Sequence, residues 1–488
     1  VVDTSALSAA HASDSMSTAP APPLTAEALA AALGALLADP ARVITAPAVV
    51  ARLSRDFYWY SPVLKALLDD KVADLVVQPV SVEEVCAVLG FCHEHRVPVT
   101  ARGAGTGNYG QAIPLERGVV LDLALMDSIE ILPPGAALCG TEGVALCGPG
   151  ARLGAIETEG RKAGWELRCY PSTIAKASVG GFLGGGSGGI GSVAHGVLRD
   201  FGTVRAIEVV TMEAEPRVVL HEGDAVHEIL HAWGTNGIIT RIWLALTPAV
   251  EWAQCVVAFP TFDAAFDFSE RIAKDAAWQK RLVTVFEQPI PSYFAPLKAI
   301  LAPGKASIFF MIAANQLDAL KAEAQAAGGE VTFAAPWEGL RAQPLLSDYT
   351  WNHTTLWAIK ADPAWTYLQC VFDPERAREQ FALLKARYGD DFVFHIEFMK
   401  NADSVIVPGS IPIVRYSTEA RLNDMIDYCR QIGVFVANPH VNNVEGGGRY
   451  RQDHVQFAAK RRYDPENLLN PGKMASYNPE AGLNEGSE

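Results

Sequence analysis

The sequence predicts an α+β fold in two parts, on three observations. The chain has 488 residues, more than one hydrophobic core usually holds, so two domains or one large domain with an insertion are expected. Up to Val250 the chain reads as short strands separated by glycine-rich turns. Beyond it, strands alternate with longer helices, the pattern of split β-α-β units around an antiparallel sheet.

The elements follow in order. Residues 1–23 are rich in Ala, Ser and Pro and read as a disordered tail without the basic start and apolar core of a secretory signal. Leu24–Leu37 reads as a helix. Ala73–Ser81 is a strand with a proline exit. Val82–His95 has apolar residues at Val82, Val85, Val88, Leu89, Phe91 and Cys92, a helical spacing. "VPVTAR" ending at Arg102, "GVVLDL" (118–123), "GVALC" (143–147), "VRAIEVV" (204–210) and "GIITRIWLAL" (237–246) are strands. In the second part "VVAF" precedes "FDAAFDFSERIAKDAA", "ASIFFMIAA" precedes "LDALKAEAQAAGG", "FALLKARYG" precedes "FVFHIEF", and "EARLNDMIDYCRQIG" precedes "VFVAN". No repeat with a period of roughly 20–50 residues is present.

Composition narrows the function classes. The net charge of −15 and the lack of a Lys/Arg-rich block argue against nucleic acid and anionic membranes as partners. No apolar run approaches the ~18 residues of a membrane span. The eight cysteines, at 86, 92, 139, 147, 169, 255, 370 and 429, form no Cys-x-x-Cys pair. Iron–sulfur and zinc-ribbon readings are therefore weak, and a reducing, cytoplasmic location is expected.

Two glycine runs carry the chemistry. In "TARGAGTGNYGQAIP" (100–114), Gly105, Gly107 and Gly110 match G-x-G-x-x-G, as do Gly184, Gly186 and Gly189 further on. A dinucleotide fingerprint needs a helix directly after the glycines. The first run is followed by a proline, a turn and a strand instead. A P-loop fails too, because Gly304-Lys305 leads to Ala306 and Gly472-Lys473 to Met474. What remains is a loop whose amides can form an anion nest, or a surface turn. The second run has seven glycines in the ten residues 180–189, a loss of chain entropy too large for packing alone. Two glycine-rich, non-helical loops can grip one long dinucleotide from two sides.

With these segments in view, the chain resembles the FAD-linked oxidoreductases of the vanillyl-alcohol oxidase/PCMH superfamily, in particular its glycolate oxidase and D-lactate dehydrogenase types. The resemblance rests on 98–129, on 170–196 continuing to 204–219, on "WGTNGIITRIWLAL" (233–246) and on "YDPENLLNPGKM" (463–474). It implies a two-part PCMH-type FAD-binding domain over 24–250, an inserted antiparallel α+β cap over 251–445, and a C-terminal segment, 446–488, returning to the FAD domain. The loop Arg102, Gly103, Ala104, Gly105, Thr106, Gly107 and Asn108 would cradle the pyrophosphate. Pro171, Ser172 and Thr173, with Ser178, Gly180 and Gly181, would follow the ribityl and flavin side. Ile238, Ile239 and Thr240 would contact the adenine end, and Asn470 and Lys473 belong to the closing motif. Covalently flavinylated relatives carry His in the first loop, where this chain reads Gly105-Thr106-Gly107, and Cys before the second, where it has Lys176. Non-covalent FAD is therefore expected. The metal-binding His motif of some relatives is missing, so no metal is expected.

The cap should supply the substrate contacts. In "DFVFHIEFMK" (391–400), Phe392, Phe394, Ile396 and Phe398 share one face of a strand, while His395 and Glu397 share the other. A His oriented by a carboxylate suits base catalysis on a hydroxyl. A solvated polar face is the alternative. His353, beside Asn352 in a strand-like context, is a further candidate. Trp351, Trp357 and Trp365, with Trp337, form either an aromatic pocket or cap core. His440, in the polar loop where the cap rejoins the FAD domain, is a last candidate, with a hinge as its other reading. Arg341, Arg415 and Arg449 are unranked candidates for binding a carboxylate.

The expected function is oxidation of a hydroxyl-bearing carbon by hydride transfer to FAD, with a 2-hydroxy acid as leading substrate and oxygen or another electron acceptor as oxidant. The alternatives are an aromatic alcohol or alkylphenol oxidase, and a non-redox FAD-dependent alkyl transferase. Oligomeric state stays open, a homo-oligomer included.

Overall fold

The computed structural model describes residues 24–136, 138–200, 202–341, 344–447 and 454–477. The tail expected over 1–23 and Arg449 lie outside them. Strands up to Pro248 make two sheets. One has four strands in the order Val43–Ile44, Leu75–Val77, Val119–Asp122, Val99–Arg102. Its last three strands run parallel, which requires a crossover. Helix Val82–Glu94 supplies it, capped by Ser81, whose hydroxyl accepts from Glu84 N, and buries Val85, Val88, Leu89 and Cys92. The expected spacing is thus the core face. The other sheet runs Ile129–Leu132, Val144–Cys147, Ile238–Pro248, Val204–Val210, Val218–Glu222, with Trp165–Leu167 paired to the end of the longest strand.

Strands from Trp252 onward make an eight-stranded antiparallel sheet and a three-stranded one. Helices Phe262–Lys274, Leu317–Ala326, Ala377–Tyr388 and Glu419–Gln431 bury Phe266, Leu320, Phe381 and Met425 in one core with Cys255, Val257 and Phe310 of the sheet. Val256 and Phe309 turn to a second core on the opposite face. Period-2 alternation over two buried faces explains why "ASIFFMIA" is apolar at every position but Ser307.

Three local expectations are corrected. "DFVFHIEFMK" is two strands: Phe392–Val393 belongs to the three-stranded sheet and His395–Lys400 to the eight-stranded one. The chain changes sheets at Phe394, whose N–H donates to the Glu287 carboxylate instead of a ladder partner (2.8 Å). The four apolar residues still share one core. The second glycine run is not free of helix, because Val179–Gly185 is helical, with Ser178 as its cap. Its C-terminal carbonyls are taken by His231 N on Leu183 O and Trp233 N on Gly184 O. Those donors come from a segment some 48 residues away, which no local pattern displays. Asn352–Ala361 is a helix and not a strand, opened by Trp351 at φ 51° and ψ −136°.

The C-terminal segment closes the first half. Val99 N donates to Leu468 O, and Asn470 N to Val99 O. Asp464 organises this turn, accepting from Leu468 N and Leu469 N (2.8 and 2.7 Å) and from Lys460 Nζ (2.5 Å). Both side chains of the pair are fully buried. Burial pushes the Asp464 carboxyl up and the Lys460 ammonium down, each resisted by its partner. Asp464→Ala leaves a buried cation and two amides unpaired, so unfolding in denaturant should show a loss of about 3–5 kcal/mol. Retention of the parental midpoint would contradict this account.

Candidate functional site

A cavity of about 360 Å³ lies where the two glycine runs meet the second half, within the size range of small-molecule sites. The first run reaches it as a loop after strand Val99–Arg102. Gly105 sits at φ +63°, and any Cβ there would strike the Arg102 guanidinium. Arg102 Nη1 in turn donates to Arg55 O (2.7 Å). The runs are tied together: Ala104 N donates to Ser178 Oγ (3.2 Å), and Gln111 Nε2 to Gly185 O (3.2 Å). A side chain at Gly103 would collide with Ser178 Oγ, whereas the Cβ position of Gly184 meets no atom within 4 Å. One glycine permits the close approach of the loops, and the other leaves the helix open toward the cavity.

Of the residues expected around FAD, Arg102, Gly103, Ala104, Gly105, Thr106, Gly107, Asn108, Pro171, Ser172, Thr173, Ser178, Gly180, Gly181 and Ile239 line this cavity. Ile238 packs into the core of the four-stranded sheet, and Thr240 bonds Glu208, because alternate residues of a strand face opposite ways. Asn470 stands one layer behind. Its Nδ2 donates to Gln111 O (2.8 Å) and Trp233 O (2.7 Å), fixing the loop and the segment that caps the glycine-rich helix. Lys473 Nζ is buried without a hydrogen-bond partner. Its neighbour is Asp56, a cavity-lining residue that no motif announced. Burial raises the Asp56 carboxyl and lowers the Lys473 ammonium, each opposed by the other's charge.

The second half contributes Trp351, Asn352, Gln369, Glu397 and Ser410 to the lining. His395 and Glu397 do lie together, Nε2 to Oε1 at 2.9 Å, but buried rather than on a solvated face. Their positions differ with respect to the cavity. Glu397 faces the cavity, while the fully buried His395 stands behind it, stacked on Phe286 at 4.9 Å. The carboxylate also accepts from Thr284 Oγ1 (2.5 Å) and Trp351 N (2.7 Å). Sequence alternation placed both residues on one face, but the direction of that face depends on the neighbouring strands.

The structure does not bring the other two histidines to the cavity lining. His353 donates from Nδ1 to Asp348 O (2.9 Å) at the start of its helix. His440 is locked in one tautomer, with Nε2 donating to Tyr367 O (2.8 Å) and Nδ1 accepting from Ser61 Oγ (2.7 Å). Of the four tryptophans, only Trp351 lines the cavity. Trp357 stacks on Tyr349, Trp365 lies under Arg415, and Trp337 takes Arg161 over its ring. Arg415 pairs with Asp362 at 2.9 Å on the surface, and Arg341 is exposed. Sequence reasoning missed Tyr109, stacked on Trp233 and held at its hydroxyl by Gln369; it lay inside the quoted loop, masked by the glycines around it. Among the described residues, no group of three or more His, Cys, Asp or Glu is placed to hold a metal, and no helix is long and apolar enough to cross a membrane.

The two halves are joined beside this cavity by a buried ion cluster. Arg281, on strand Lys280–Phe286, reaches Glu157 at 3.0 Å and Glu166 at 3.5 Å, all nearly inaccessible. Its Nη2 donates to Leu167 O, its backbone oxygen accepts from Gly191 N, and its guanidinium covers the Tyr170 ring at 4.7 Å.

Residues 73–219 match the FAD binding domain family. The chain is 29% identical over 210 residues to a D-lactate dehydrogenase of Archaeoglobus fulgidus, covering 41% of this chain and 45% of that one. It is 32% identical over 197 residues to glycolate oxidase subunit GlcD of Escherichia coli strain K12, covering 39% and 37%. These matches span less than half the length of either relative. A D-lactate dehydrogenase of Anaerostipes hadrus is 24% identical over 451 residues, covering 82% and 89%. A solved structure of alkyldihydroxyacetonephosphate synthase superposes with a TM-score of 0.68 at 16% identity, covering 92% of this chain and 87% of that one. The fold is therefore a PCMH-type FAD-binding domain with an antiparallel α+β cap. The cofactor is FAD, and the cavity suits it: paired glycine loops offer backbone amides, and the buried Arg102 beside them supplies positive charge.

The His440 environment has a pH consequence. Burial pushes its imidazole down to about 4, against the bond to Tyr367 O, which raises it. Folded protein then binds fewer protons than unfolded protein below the ordinary histidine value of about 6.5. Its stabilisation is full above that pH and is lost as pH falls toward 4, by roughly 3 kcal/mol. Chemical denaturation at stepped pH should show His440→Gln with a flatter acid limb than the parent; parallel limbs would contradict the assignment.

Proposed function

We propose that the chain is an FAD-linked oxidoreductase of the vanillyl-alcohol oxidase/PCMH superfamily and that it oxidises a carbon bearing a hydroxyl group, a 2-hydroxy acid foremost. The observation that carries this is the Glu397 carboxylate, presented by the cap to the same cavity that the two glycine loops line. The 2-hydroxy acid class is supported by the names of the relatives, D-lactate dehydrogenase and glycolate oxidase subunit. When bound, FAD supplies the hydride acceptor. The chain's own work is to hold the substrate, to exclude water and to take the hydroxyl proton.

Glu397 is the group placed to receive that proton. Thr284, Trp351 N and His395 fix its two oxygens, so its orientation is set before substrate arrives. His395 Nε2 donates to the carboxylate, which makes the imidazole a positioning partner. Tyr109 and Trp233, stacked 6.2 Å apart, and Trp351 give the cavity its aromatic walls. We further propose that FAD is held non-covalently, since Thr106 in the first loop and the exposed Lys176 before the second offer neither His nor Cys at those positions. The FAD domain spans 24–250, the cap 251–445, and 446–488 returns to the FAD domain in this reading.

Two experiments test it. Anaerobic stopped-flow mixing of holoprotein with 2-hydroxy acids and aryl alcohols should bleach the flavin absorbance with a hydroxy acid. Glu397→Gln should slow that bleaching by about 10²-fold or more while FAD affinity is kept. A flavin that no donor reduces would point to the non-redox alkyl transfer alternative. Denaturation followed by removal of the precipitate should leave the yellow colour in solution, and colour retained in the pellet would refute dissociable FAD.

A further inference from the structure

The cap end of the cavity holds buried polar atoms that nothing in the protein satisfies. Trp351 Nε1, Asn108 Nδ2 and Asn352 Oδ1 are all buried without a hydrogen-bond partner, and all three residues line the cavity. The two asparagines are neighbours. Asn352 Nδ2 lies 3.5 Å from Asn108 Oδ1, bridging the glycine loop and the cap helix. Turning both amides exchanges the atoms but still leaves one donor and one acceptor free. Trp351 adds a fixed N–H. Its amide is bound to Glu397 Oε1 at 2.7 Å, which places this group one residue from the proton acceptor.

Buried polar groups left unpaired are costly, and here the cost is concentrated beside the reacting centre. Trp351 carries a second one. A bulky residue at φ 51° and ψ −136° is strained. Its indole packs against Gly188, whose Cβ position lies 3.2 Å from the ring. Among the described residues lining the cavity, Arg102 is the one cation. It belongs to the glycine loop and donates to Arg55 O.

We infer that this end of the cavity binds the carboxyl end of the substrate through uncharged N–H donors, Trp351 Nε1 and one amide of the Asn108–Asn352 pair, which leaves the substrate hydroxyl to Glu397. The inference rests on the hydroxy acid reading above and adds how that acid is recognised. Neutral donors bind any carbonyl oxygen, so the site distinguishes an acid from its primary amide far less than a guanidinium fork does.

The test compares a 2-hydroxy acid that reduces the flavin with its own primary amide, using holoprotein in anaerobic stopped flow. The two half-saturation constants should agree within about 10-fold, with little dependence on salt, as expected without a charged partner. Trp351→Phe keeps the ring and removes the N–H. It should weaken both compounds by about 10-fold and change the limiting rate of reduction much less, the signature of uniform binding lost. An unaltered flavin absorbance spectrum in that variant shows that the cavity is intact. A preference for the acid of about 100-fold or more, or a Trp351→Phe variant with unchanged half-saturation, overturns this inference alone. Failure of every hydroxy acid to bleach the parental flavin overturns the reading beneath it, and this inference with it.

Discussion

The cavity depends first on the burial of Arg281. A guanidinium far from water is tolerable only when its charge and donors are matched. Glu157, Glu166, Leu167 O and the Tyr170 ring supply that match, and all come from the other half of the chain. The cap strand therefore has one seating on the FAD-binding domain. The same residue accepts Gly191 N, so the seating also fixes the end of the second glycine run. Strand Lys280–Phe286 carries Thr284 three residues further on, and Thr284 holds Glu397. One buried cation thus sets the distance between the cofactor loops and the group that faces them.

A second constraint acts from the opposite side. Asn470 ties Gln111, Trp233 and Val99 together through its amide and backbone N–H. It stands at φ 43°, a conformation that Asn tolerates better than most residues. The closing motif does not touch the cavity at this point. It holds the backbone of the residues that do, which accounts for a C-terminal motif and an N-terminal loop occurring together in one sequence.

The sequence displayed the elements whose rules are local. Helix Val82–Glu94 and strands 204–210 and 144–147 follow from spacing alone, and the first glycine run was readable as a loop because no helix follows it. The misreadings share a different cause. The glycine-rich helix exists because His231 and Trp233 satisfy its last carbonyls from far along the chain. "DFVFHIEFMK" splits because Glu287 takes one amide. Asn352 begins a helix because Glu397 pins Trp351 in an uncommon conformation. His440 was a candidate as a polar loop residue, yet it is buried, held by two hydrogen bonds and absent from the cavity lining. Each outcome turns on one or two long-range hydrogen bonds, which propensity and periodicity do not register. For the same reason, which of His395 and Glu397 faces the cavity became visible only once their strand had neighbours.

The bond between Trp351 N and Glu397 has a consequence for how this protein can diversify. Usually the wall of a binding site and the group that handles protons sit on separate segments, so one varies while the other is kept. Here residue 351 lines the cavity and its N–H also holds the Glu397 carboxylate that faces it. A residue at 351 must supply the wall and also accept a left-handed backbone, which narrows the tolerated replacements toward Gly and Asn, neither of which fills the space of an indole. Relatives with a different appetite for substrates should therefore differ at Gln369 or Ser410, on strands whose backbone is already paid for, and leave position 351 alone.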